Sequence, residues 1–368
     1  MDPFQRLPVE IIKSIVHHIP DFVGVESLLL VSARVKAVFQ YDPCAVDLDD
    51  LLASTYLLAM PDVPSTFRHV ALIHRQSVSA SSDDGDIESA SENSPMGSAT
   101  LLHMIHTAAQ IQRQACACLL TMRRKFCTSV ETHLATSIVN EDFAGPFSFI
   151  EECRAYWALW HLRHYSDLHK LARERINSPD NTKIIQKLKT YASWNGPTAL
   201  HYRAEEIWAI AATLSDLGLY ASQQKEPSQD RLSRPPRVPL PLFTSFQFPP
   251  QAENHPVWCP PPVPEHTTVN EAWDRIVRHP EDSSRGTLFY HQLLSILQVY
   301  GLASPAIQDM PPFRRLGVFI WDCWRLYSAG LKFITENIPA PNGGVVQAMH
   351  IDQKRVYEMQ ANWLALRG

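Results

Sequence analysis

Asp83-Asp84-Gly85-Asp86 is an aspartate-rich run of the kind that can supply oxygen ligands to a hard divalent cation. It lies in a stretch, Ser77 to Ser98, composed mainly of Ser, Asp, Glu, Asn and Gly. That composition has too little apolar surface to offset the entropy of ordering, so the aspartates are expected in a disordered acidic linker with no rigid cage. His161, His164 and His169 fall in one helical region, but only the first two have the i, i+3 spacing that shares a face. No Glu-x-x-His or His-Glu-x-x-His pattern accompanies them, which reads as core or surface histidines. Cys116 and Cys118 are two apart, not at the CxxC spacing of zinc and redox sites, and Cys153 has no recognisable nucleophile context. A phosphate-binding loop and a G-x-S-x-G elbow are also missing. The expectation is a chain with no catalytic residue, no cofactor and no metal.

Two further features could serve binding. Trp321, Trp324 and Tyr327 could line a recognition pocket, although core packing is the commoner fate of such residues. Pro236-Arg237-Val238-Pro239 is a minimal PxxP within a segment, residues 223–265, that holds twelve prolines and no glycine. With Leu240, Leu242, Phe243, Phe246, Phe248 and Trp258 it reads as a stiff strap packed on its own domain. The formal net charge of -5 argues against a broad nucleic-acid footprint, which needs a concentrated basic surface. Arg123-Arg124-Lys125 reads as a solvated helical face.

The elements that would position these residues are helices. Val9, Ile12, Val16 and Ile19, with Ile11 and Ile15 beside them, form one wide apolar stripe on a first helix. Pro8 suits its first turn, and Pro20 and Asp21 close it. A second helix fits Val25, Leu28, Leu29 and Val31; Ser32 can cap a third that buries Val35, Val38 and Phe39. Later helices are expected over 47–60, 99–134, 147–176, 182–194, 199–220, 269–277, 288–300, 313–337 and 352–366. The 147–176 helix is apolar nearly all round, as in a helix at the centre of a domain. The start, Met1-Asp2-Pro3, has no secretory pattern, and no window approaches the ~20 apolar residues of a membrane span. Seven scattered cysteines fit reduced thiols, and a cytoplasmic or nuclear protein is expected.

Leu7-Pro8-Val9-Glu10-Ile11-Ile12, then Ile15, Ile19-Pro20-Asp21-Phe22, Leu28 and Val31-Ser32 together resemble the F-box motif. The third helix departs from the family pattern, since Ala33-Arg34-Val35 follows the Val-Ser step and the aromatic arrives only at Phe39. Arg154–Leu168 and Phe313–Tyr327 resemble helical regions that follow the F-box in fungal proteins. The resemblance implies a mostly α fold: a three-helix F-box over 1–45, then a larger irregular helical domain over 46–368. Acidic (77–98) and Pro-rich (223–265) insertions would interrupt the larger domain. It also implies a substrate-recognition adaptor of a cullin-RING ubiquitin ligase, without enzymatic activity. Leu7, Pro8, Ile11, Ile15, Leu28 and Val31 would dock on the Skp adaptor subunit. A unit of ~40 residues cannot hide so wide a stripe by itself, which agrees with such a role. The same features leave room for an F-box protein acting outside any ligase, and for a helical enzyme with a buried aromatic pocket. The small unit is further expected to be separable from the rest.

Overall fold

The computed structural model describes residues 2–19, 21–41, 63–79, 97–133, 141–175, 181–193, 204–219, 285–299, 301–302, 311–331, 338–339, 345–346 and 353–366. The helices expected over 47–60 and 269–277, the Asp83–Asp86 run and the Pro-rich strap lie outside these residues. Most described residues are helical. In chain order the helices are α1 (Val9–His17), α2 (Phe22–Val31), α3 (Ala33–Tyr41), α4 (Val63–Ser79), α5 (Ser98–His133), α6 (Phe149–Glu174) and α7 (Asn181–Ser193). They continue with α8 (Ala204–Asp216), α9 (Arg285–Val299), α10 (Pro311–Arg315), α11 (Cys323–Ser328) and α12 (Gln353–Leu366). A 3-10 turn spans Glu141–Ala144, and Ile338–Pro339 pairs antiparallel with Val345–Val346. Helix therefore takes residues 77–79 and 98 from the two ends of the expected acidic linker.

The chain divides into two compact units. The first holds α1–α4, α5 up to Cys116, α6 from Tyr156, and α7. The second holds α5 from Ala117, the 3-10 turn, the start of α6, and α8–α12. The three N-terminal helices thus share a unit with α4 and the first half of α5.

In the first unit the core is aromatic. Phe67 of α4 sits between Phe22 of α2 and Trp160 of α6, with centroids 6.0 and 5.1 Å away, and all three are fully buried. Every residue from Tyr156 to Trp160 is buried, as the all-round apolar pattern of this part of the helix implies.

In the second unit, Tyr290 of α9, Phe313 of α10 and Trp363 of α12 meet at 4.9–6.1 Å. The helix expected over 313–337 is broken. Gly317 takes a φ of 72°, Trp321 donates its indole N–H to the Leu316 carbonyl at 2.8 Å, and Asp322 caps α11 by accepting from the Arg325 amide. Trp321 is fully buried and Tyr327 half-buried, so Trp321 belongs to the core; the Trp324 side chain is outside the described ones.

Polar groups stitch the second unit together. Ser148 and Glu151 exchange hydrogen bonds as a capping box at the start of α6. Glu151 also accepts from Arg325 through both oxygens, at 2.8 and 2.9 Å. Arg325 donates further to the carbonyls of Phe143, Gly145 and Pro146. Burial pushes the Glu151 carboxyl up, Asp322 adds to the rise, and the Arg325 hydrogen bonds act against it.

Candidate protein-docking face

Asp2 begins the geometry of the N-terminal unit. Its carboxylate accepts from the Arg34 amide at 3.1 Å, the Phe4 amide at 2.9 Å and the Ser32 hydroxyl at 2.9–3.0 Å. The Arg34 amide is the foremost cause that holds this carboxyl below its ordinary value. The chain ahead of α1 is thereby fastened to the start of α3, which is capped by Ser32 through the Val35 amide at 3.0 Å.

Pro8 is the N-cap of α1, with extended backbone, one position ahead of the first turn expected for it. Asp21 does not close α1; it opens α2, accepting from the Gly24 amide at 2.6 Å. Gly24 is needed there, since a Cβ would lie 2.7 Å from the Ile19 Cγ2. The segment after α1 can lie this close to α2 because Gly24 has no side chain.

This arrangement splits the apolar stripe of α1. Ile12 and Val16 are buried, at 1% and 2% exposure, whereas Ile11 is 47% exposed. Of the other expected docking residues, Pro8 is exposed, Leu7, Ile15 and Leu28 are half-buried, and Val31 is 68% exposed. Ile11 and Ile15 are one turn apart, with Pro8 one turn before Ile11, so the three share a side of α1. Leu30, which the sequence reading passed over, is 78% exposed beside Val31. Its exposure has no periodic signature, because Leu28-Leu29-Leu30-Val31 is apolar on every side of the helix.

The opposite side of α2 is anchored. Glu26 is buried and ion-paired with Arg113 and His106 of α5. The Val23 amide donates to the Gln112 side chain at 3.1 Å, and Phe22 stacks on Phe67. A carboxylate in the middle of an apolar decapeptide is the signal that could have revealed this contact, since Glu is rarely buried unless paired.

The residues weighed for chemistry are dispersed. His164 is buried against His69, and burial pushes it down to about 3. His161 packs beside Trp157 and His169 beside Tyr165. Cys118 and Cys153 are buried and Cys116 is half-buried. Among the described residues, no group of three or more His, Cys, Asp or Glu side chains is arranged to hold a metal ion. Among them, too, no helix is long and apolar enough to cross a membrane. No family model, curated protein or solved structure matches this chain.

Proposed function

We propose that the chain is a substrate-recognition adaptor: α1–α3 dock on the Skp adaptor subunit of a cullin-RING ubiquitin ligase, and the remaining helices select a protein target. One observation carries the reading. Ile11, Leu30, Val31 and Tyr41 are solvent-facing in a unit that buries Ile12, Val16, Phe22, Val25, Val35, Val38 and Phe39. Large apolar side chains left exposed on a small helical unit, with Leu7, Ile15 and Leu28 half-buried, are what a protein partner covers. The sequence resemblance names the partner. The mechanism is proximity: the chain holds its target near a conjugating enzyme and raises effective concentration without bond chemistry of its own.

Co-expression with the Skp adaptor tests this. The wild-type chain should form a stable complex and recruit the cullin. Ile11→Asp with Val31→Asp should abolish the complex, because both charges would be desolvated unpaired in the interface. The same pair should leave the melting curve within about 0.5 kcal/mol of wild type, as exposed substitutions do. A folded wild-type chain that ignores the Skp adaptor would refute the reading. A complex that excludes the cullin would move the protein outside the ligase.

A further inference from the structure

Two imidazole stacks join α4 to its neighbours. His74 lies face to face with His103 of α5, with ring centroids 3.7 Å apart and planes 8° from parallel. His69, just over one turn earlier on α4, stacks on His164 of α6 at 5.4 Å and 10°. The remaining inner face of α4 is Val63, Phe67, Val70 and Ala71, all at 1% exposure or less. Stacked neutral imidazoles extend that flat apolar contact, whereas stacked imidazolium ions repel one another.

The surroundings of both stacks favour the neutral form. Arg163, Asp167 and Lys170 of α6 face His74, and Arg163 and His106 face His103. Asp167, the carboxylate of that set, is already engaged by Arg163 at 2.7 Å. Lys187 of α7 faces His164. Glu26 of α2 is taken up by His106 and Arg113 of α5. Among the groups that face His74, His103 and His164, the fixed charges Arg163, Lys170 and Lys187 outnumber the one carboxylate, Asp167, which Arg163 engages.

We propose that α4 is an acid-released helix, docked while His74, His103 and His164 are neutral and parting locally from α5 and α6 as they take up protons. The inference stands apart from the adaptor reading. Burial, the foremost cause in each case, pushes His103 down to about 4 and His164 down to about 3, and lowers His74 as well. Once released, His74, His103 and His164 return toward the ordinary imidazole value of about 6.5. The docked form is therefore favoured in full above that value. Its advantage is lost as pH falls from there toward 4, by about tenfold per pH unit for each of His103 and His164.

Hydrogen exchange read by mass spectrometry on the full chain tests this, with rates corrected for the intrinsic pH dependence of exchange. Between pH 6.5 and 5, peptides from Val63–Ser79 should lose protection by about a hundredfold or more, while peptides of α8 and α12 hold theirs. His74→Gln with His103→Gln should shrink the slope on α4 by about tenfold per pH unit. Constant protection of α4, a parallel loss in every helix, or an undiminished slope in the double variant would each overturn the proposal. Should the double variant not fold, the wild-type contrast between α4 and α8 decides alone.

Discussion

Glu152 is buried beside Glu151, and its Oε2 meets no hydrogen-bond donor. Burial, then the neighbouring Glu151, pushes its carboxyl up to about 8. The fold thus prefers Glu152 neutral, and the unfolded chain ionises it near its ordinary value. With the folded value the higher of the two, this contribution to stability is whole below about pH 4.5 and drains away as pH rises to about 8. Glu152→Gln, neutral at every pH, should stabilise the chain by about 1–3 kcal/mol at pH 8 and change little at pH 5. Thermal melts at the two pH values check this; an equal effect at both would show that packing, not ionisation, governs the site. Nothing in the sequence marked the residue. Two glutamates in the first turn of a helix read as ordinary partners of its positive end, and only the tertiary burial of that turn reverses their meaning. For His164 the sequence left core and surface both open, and the fold buries it.

Helices with local signals were legible within a few residues. Ser32 caps α3 as its sequence position suggested, and α5, α6, α7 and α12 start and stop close to where periodicity puts them. The segment after α10 was not legible. A single glycine amid Leu316, Val318, Phe319, Ile320 and Trp321 looks like one weak point in a continuous helix. The break is imposed from elsewhere: Trp321 folds back on Leu316, and Arg154 of α6 donates to the carbonyls of Ile320 and Trp321 at 2.9 Å. Gly317→Ala isolates this. A Cβ there would lie 2.8 and 2.9 Å from the Trp321 ring and 3.0 Å from the Met122 Cβ, at a φ that L side chains rarely adopt. Gly301→Ala meets the backbone problem alone, since φ is 68° but nothing lies within 4 Å. Gly301→Ala should cost about 1–2 kcal/mol and Gly317→Ala about 2 kcal/mol more, the steric share. Denaturant melts of the two variants give the difference directly, and equal losses would mean that Trp321 moves aside without cost.

At the scale of the molecule, the sequence suggested a small N-terminal module that could be removed without harm, because the turn residues Asp42 and Pro43 follow its third helix and the aromatic helices come much later. What no periodicity could reveal is which distant residues meet its inner face. Phe22 is stacked on Phe67, Val23 is bonded to Gln112, and Glu26 is paired with His106 and Arg113. A chain starting near Val46 would therefore uncover Phe67, now fully buried, and strand the Arg113 guanidinium without its carboxylate. Losing one large apolar contact and one buried pair should lower stability by several kcal/mol. Circular dichroism should show the truncated chain melting well below the full one, and exchange should show α4 and the first half of α5 unprotected. An unchanged melt would mean that the module is a satellite after all. On the adaptor reading proposed above, if α2 is part of the core, truncation removes docking and recognition together, and target levels would rise only because the protein is lost. Ile11→Asp with Val31→Asp leaves the inner face of α2 intact and alters only side chains that face solvent. That variant should accumulate as a folded protein and, on the same adaptor reading, hold its targets without presenting them and raise their levels above those in cells carrying the truncation.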